Sequence, residues 1–259
     1  MRRLAGPLAL ALCGFGCEPP KASALALKPT APTAATMPYP PSPPSVLSLA
    51  ATSGVPSTLV VLLHGFGADA TSFHEIARAL APSFPSADFL TPEGFEPSEL
   101  GGSGRQWYGL SGLDEANRAA QVREAATAVS AWIDRQLDAR GLDRRRLVVI
   151  GFSQGAGLAA WLAVHRAPPP AAVVMFSGRV TEGEQLSPLP VSTPVFMAHG
   201  ADDARIPVTV VDPGAATLEA FGVRVTKQIY PGLGHAIDAR ELRDATAFLR
   251  AALAPPNAR

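Results

Sequence analysis

The stretch Leu147-Val148-Val149-Ile150-Gly151-Phe152-Ser153-Gln154-Gly155-Ala156-Gly157-Leu158 decides how this chain is read. Its first four residues are apolar and mostly β-branched, the composition of a short strand buried on both faces. From Ala156 to His165 the chain is rich in alanine and leucine and reads as a helix. Between the two lies Gly151-x-Ser153-x-Gly155, the pattern of a nucleophile elbow, in which a sharp strand-to-helix turn exposes the serine. A serine hydroxyl is a weak nucleophile, so it has to be presented to a base and a substrate together. In a chain with 23 glycines the bare pattern carries little weight. The strand before it and the helix after it carry more, because the turn works only between those two elements.

The same texture extends outward from the elbow. Leu59-Val60-Val61-Leu62-Leu63 is a second continuous apolar run and predicts a buried strand. Residues 71–80 place Phe73, Ile76, Ala77 and Leu80 on one helical face, and 87–90 form a short strand. A Gly- and Ser-rich loop, 94–113, leads to a long helix over 114–140, with Asp114 as N-cap and Gly141 as stop. Further strands are predicted at 172–176, 195–198 and 223–230, and further helices at 214–221 and 238–253, the last capped by Asp238. Strands alternating with helices predict an α/β fold, a mostly parallel central sheet with helices on both faces. One domain covers 58–254.

An elbow of this kind is followed in the chain by an acid and then a histidine. Of the five histidines, two lie beyond the helix that follows Ser153, His199 and His235. His235 sits in Gly232-Leu233-Gly234-His235, a loop between a late strand and the last helix, and is preferred as the base. His199 ends a strand and reads as loop support. The acid comes from Ala201-Asp202-Asp203, with Asp203 preferred to Asp202, and its task is to hold the imidazole in the correct tautomer. The oxyanion of a tetrahedral intermediate needs preorganised N–H donors, and losing one costs about 2.7–4 kcal/mol in a well-studied protease. The expected donors are the backbone amides of Gln154 and of Phe66, in the loop His64-Gly65-Phe66-Gly67; His64 itself reads as structural.

The N-terminus has a different character. Arg2 and Arg3 precede an apolar run from Leu4 to Gly16, which predicts a signal peptide over 1–16 and export to the periplasm, the exterior or a membrane. Cys17 after Gly14-Phe15-Gly16 resembles the lipid-modified cysteine of bacterial lipoproteins, although Gly14 stands where leucine is usual. A lipidated Cys17 would attach the chain to a membrane; an ordinary secretory cleavage nearby is the alternative. Residues 17–57 hold ten of the 26 prolines and read as a disordered tether. Cys13 and Cys17 are the only cysteines, so the body of the chain has no disulfide framework, cysteine nucleophile or thiolate metal site. Lys plus Arg balance Asp plus Glu at 22 each, which argues against electrostatic nucleic-acid binding.

Five blocks together resemble the phospholipase/carboxylesterase group of α/β-hydrolases, in particular its acyl-protein-thioesterase-like branch. They are Leu63–Gly67, Gly104-Arg105-Gln106-Trp107-Tyr108, Gly151–Gly155, His199–Asp203 through Pro207, and Gly234-His235. Order and spacing agree over about 58–250. The departures are Ala201, where relatives often carry an acid, and the exported N-terminus. The resemblance implies an α/β-hydrolase fold without a large cap domain. It implies hydrolysis of carboxylic esters or thioesters without metal or organic cofactor, and a small-molecule ester as partner. It further implies that Trp107 and its neighbour Tyr108 line the acyl site. Phe95 and Leu110 in the same loop would extend that apolar wall. Two other functions share these features: a peptidase or amidase on the same residues, and a tethered binding protein without turnover.

Overall fold

A computed structural model describes residues 39–112, 114–181 and 193–254. The expected signal peptide and Cys17 lie outside them. The central sheet has seven strands: β1 (Val46–Leu49), β2 (Thr58–Leu63), β3 (Ala87–Pro92), β6 (Leu147–Phe152), β7 (Ala172–Phe176), β8 (Pro194–Gly200) and β9 (Arg224–Tyr230). A small hairpin, β4 (Glu96–Pro97) with β5 (Arg105–Gln106), stands apart within the 94–113 loop. The helices are α1 (Ala70–Leu80), α2 (Glu115–Ala139), α3 (Gln154–His165), α4 (Val211–Ala220) and α5 (Ala239–Leu253).

Strand order is β1-β3-β2-β6-β7-β8-β9. Every pair is parallel except β1 with β3. The chain therefore leaves β2 in one direction, to β3, and later returns to its other side with β6. That reversal opens a crevice at the carboxyl ends of β2 and β6, the usual ligand position in open α/β sheets.

All six residues of β2 are buried, because the strand is covered on both faces. Leu59, Val61 and Leu63 pack with α2, α3 and α4, whereas Val60 and Leu62 pack with Phe73 and Leu80 of α1 and Leu249 of α5. The expected caps are present. The Asp114 carboxylate accepts from the Asn117 amide, and Asp238 with Glu241 forms a capping box on α5. Residues 177–193 between β7 and β8 leave no room for a large cap domain.

One expectation is corrected. The proline-rich segment 17–57 does not remain a tether up to residue 57: of its described part, 39–57, residues 46–49 form edge strand β1, paired with β3 from Val46↔Pro92 to Leu49↔Phe89. The Tyr39 ring stacks on Phe95 at 5.0 Å, and the Tyr39 hydroxyl donates to Gln121 Oε1 at 3.1 Å. The Arg135 guanidinium donates to the Pro41 carbonyl. Proline bars a central strand because it lacks a donor, but an edge strand needs donors on one side only. Pro43 and Pro44 also stop just short of the ladder.

Candidate active site

Ser153 joins β6 to α3 with φ of 52° and ψ of −111°. A non-glycine residue so placed stores about 1–3 kcal/mol of strain. The surrounding packing holds it there. A Cβ on Gly151 would collide with the Gly155 carbonyl, and one on Gly155 with the Leu63 carbonyl. Both glycines of the pattern therefore let α3 start directly against β2 and β6, which aims Ser153 into the crevice.

His235 and Asp203 reach the same point from other strands. The two loops that carry them, after β8 and after β9, are tied by the Asp202 amide donating to the Leu233 carbonyl at 2.9 Å and the Ala201 amide to the Tyr230 carbonyl at 3.0 Å. His235 Nε2 lies 2.9 Å from Ser153 Oγ, and His235 Nδ1 lies 2.7 Å from Asp203 Oδ2. Asp203 Oδ1 accepts from the Arg205 and Ile206 amides at 2.9 and 2.8 Å. Burial opposes ionisation of Asp203, but these amides and His235 outweigh it and hold the carboxyl below its ordinary range. An ionised carboxylate only accepts, so His235 Nδ1 carries a proton and Nε2 is left to accept from the serine hydroxyl. The Phe152 ring flanks the imidazole at 4.8 Å.

The other histidines play different parts. His199 Nε2 donates to the Ile206 carbonyl at 2.9 Å and so braces the loop that carries Asp203. His64 is fully buried: its Nδ1–H donates to the Gly65 carbonyl at 2.8 Å and its Nε2 accepts from the Gly94 amide at 2.9 Å. Burial pushes its imidazole below the ordinary range, so it is a neutral structural residue.

Gly65 lies so close to Ser153 that a Cβ there would stand 3.3 Å from the serine Cβ. Phe66 follows immediately, and Phe66 and Gln154 line the same cavity as Ser153. Among the described residues neither of their amides donates to a backbone carbonyl. The side chain of Gln154 does something the sequence did not suggest. Its Oε1 accepts from the Trp107 amide at 2.9 Å and its Nε2 donates to the Tyr108 carbonyl at 2.8 Å, which locks the 94–113 loop onto the elbow. A polar residue at the second variable position of the pattern is the only local signal for this.

A cavity of about 690 Å³ opens over Ser153, with Phe66, Leu100, Tyr108, Leu110 and Ile206 on its walls. Trp107 is not among its lining residues, contrary to expectation. It is fully buried, and its indole N–H donates to the His64 carbonyl at 2.8 Å. Phe95 is likewise buried, edge-on to Trp107 at 5.7 Å. A large aromatic in a Gly-rich loop serves here as the anchor beneath it, leaving Tyr108 and Leu110 at the surface of the cavity. Among the described residues there is no group of three or more His, Cys, Asp or Glu placed to hold a metal ion, and no helix long and apolar enough to cross a membrane.

The chain is 32% identical to an esterase of Escherichia coli (strain K12), YpfH, over 194 residues, which cover 74% of this chain and 82% of that protein. It is 27% identical to acyl-protein thioesterase 1 of Eremothecium gossypii, over 80% of this chain and 93% of the relative. Among solved structures, esterase PE8 superposes with a TM-score of 0.72 and 29% identity, covering 81% of this chain and 99% of its own. SOBER1 of Arabidopsis thaliana superposes with a TM-score of 0.67 and 25% identity, covering 76% and 100%. The sheet order, the elbow and a match over residues 47–253 to the phospholipase/carboxylesterase family place this chain in that family of α/β-hydrolases, as an esterase-type enzyme.

Proposed function

We propose that the protein hydrolyses carboxylic esters, and thioesters of similar shape, through an acyl-enzyme formed on Ser153. The observation that carries this reading is the chain of contacts Ser153 Oγ–His235 Nε2 at 2.9 Å and His235 Nδ1–Asp203 Oδ2 at 2.7 Å. Ser153 Oγ attacks the carbonyl carbon while its proton passes to His235 Nε2. The former carbonyl oxygen takes up the negative charge between the Phe66 and Gln154 amides. His235 then gives its proton to the departing alkoxide or thiolate, and the acyl group stays on Ser153. Water attacks that ester, its proton goes to His235, and collapse of the second intermediate returns a proton to Ser153 and releases the acid. Asp203 stays ionised throughout and stabilises the imidazolium.

The open cavity and the absence of a large cap favour short or medium acyl chains. A series of 4-nitrophenyl esters from acetate to palmitate tests this: an optimum at or below octanoate is expected, and one at palmitate contradicts it. Ser153→Ala should abolish turnover and fluorophosphonate labelling while the melting midpoint stays within a few degrees. Turnover retained in that folded variant rules the mechanism out. Comparison of each ester with its matched amide separates an esterase from an amidase on the same residues.

A further inference from the structure

The walls of the cavity over Ser153 carry three arginines from three separate segments: Arg118 in α2, Arg179 after β7 and Arg205 after β8. The described lining residues include no carboxylate. For a chain with equal numbers of acidic and basic residues this is a local excess of positive charge beside Ser153.

Arg179 is the informative member. The other half-buried or buried arginines with assigned contacts each donate to a carboxylate or carbonyl: Arg105 to the Gly94 and Phe95 carbonyls, Arg140 to Asp88, Arg144 to Asp134 and Asp138, Arg166 to Asp134, and Arg240 to Asp238. The half-buried Arg179 guanidinium makes no hydrogen bond or ion pair with any described residue. Its backbone is nonetheless fixed on both sides. Gly178 packs against Ala156 and the Ser153 carbonyl, the Arg179 carbonyl faces Gly157, and Val180 packs on Gly214 of α4. Arg205 is fixed in the same way, because its amide donates to Asp203 Oδ1 at 2.9 Å. It leaves the loop two residues beyond Asp203, with an exposed side chain. Tyr108 lines the same cavity. Burial pushes its hydroxyl up to about 12, and Arg118 and Arg179 are close enough to pull it the other way. Arginine is the side chain best suited to grip an oxyacid, since its planar fork meets two oxygens at once. A cleft with low-dielectric walls strengthens its field on an incoming anion.

We propose that this cavity selects esters that carry a second, anionic oxyacid group, a carboxylate or a phosphate, which Arg179 and Arg205 hold while Ser153 attacks the ester carbonyl. The proposal rests on the hydrolase reading above and adds to it the class of substrate. Binding energy from the remote anion fixes the ester against the nucleophile, which benefits the reaction beyond simple capture.

The test compares matched pairs on the intact protein. One arm sets mono-4-nitrophenyl glutarate against its neutral methyl ester, with the carboxylate on the acyl side. The other sets the butyryl ester of glycerol 3-phosphate against monobutyrin, with the phosphate on the alcohol side. In at least one arm kcat/KM for the anionic ester should exceed that of its neutral partner by about tenfold at low salt, and the arm that shows it identifies the source of the anion. The advantage should shrink in high sodium chloride, and it should fall to near unity in the Arg179→Gln, Arg205→Gln double variant. A ratio at or below one in both arms, or a ratio untouched by salt and by the double substitution, overturns the proposal. If neutral esters are turned over and Ser153 accepts a fluorophosphonate while the ratio stays at one, only the anion site fails. If nothing is turned over and nothing is labelled, the hydrolase reading fails with it.

Discussion

Asp203 divides its carboxylate between two tasks: Oδ1 meets the Arg205 and Ile206 amides, and Oδ2 meets His235. That division predicts what asparagine would do. In Asp203→Asn the carbonyl oxygen stays on the two amides, so the NH₂ faces His235 Nδ1. The imidazole must then protonate on Nε2 and can no longer accept the serine proton. A loss in kcat of about ten-thousand-fold, with little change in KM or melting midpoint, is expected from steady-state kinetics. Because the Asp203 carboxyl is held below its ordinary range, it stays charged at any pH above that range, and its stabilising contribution is lost only as pH falls through its lowered value. Trp107 calls for the opposite kind of test. Trp107→Phe removes the donor to the buried His64 carbonyl and should cost about 1–3 kcal/mol in denaturant unfolding. The chain-length profile on 4-nitrophenyl esters should keep its shape, whereas an acyl-contact role would shift the optimum.

At the scale of elements, α5 sets the position of the loop that carries His235. The Asp238 side chain accepts from the Arg240 and Glu241 amides, and Glu241 Oε2 accepts from the Asp238 amide at 3.2 Å. Glu241 is fully buried, and burial pushes its carboxyl from the ordinary 4.5 up to about 7. Below 4.5 it is protonated in both folded and unfolded chains. Between 4.5 and about 7 folding takes up a proton, so stability falls as pH rises through that window and levels off above it. Glutamine preserves the reciprocal cap without a titrating group. Glu241→Gln should therefore match the parent near the bottom of the window and exceed it by on the order of 2 kcal/mol at pH values above it. Melting midpoints measured across the range check this; a difference independent of pH would contradict the burial argument.

For the whole molecule, the contacts made by residues 39–57 set where the domain begins. β1 covers the outer edge of β3, and Tyr39 stacks on Phe95 beside the buried Trp107. A chain beginning at residue 37 should melt close to the full-length protein. One beginning at residue 58 should melt several degrees lower and aggregate more readily, because the ladder edge of β3 is left open. Equal stability of the two would return 39–57 to the status of a tether.

The chain determined by itself whatever depends on local pattern. Apolar runs such as 59–63 and 147–150 can be satisfied only as strands buried on both faces, and an elbow serine with glycines two residues either side can be satisfied only between such a strand and a helix. Ser153, Asp203 and His235 stood out by their order along the chain, each closing or following a strand, and the structure brings the three side chains together. The tertiary structure alone decided which surface each side chain faces. Whether Trp107 points into the cavity or beneath its loop, whether Gln154 contributes its side chain as well as its amide, and whether residues 46–49 find a sheet edge all depend on contacts between segments far apart in sequence. The meeting of Arg179 and Arg205 at one cavity depends on them too. Periodicity records which face of an element is buried, but it carries no information about what stands opposite.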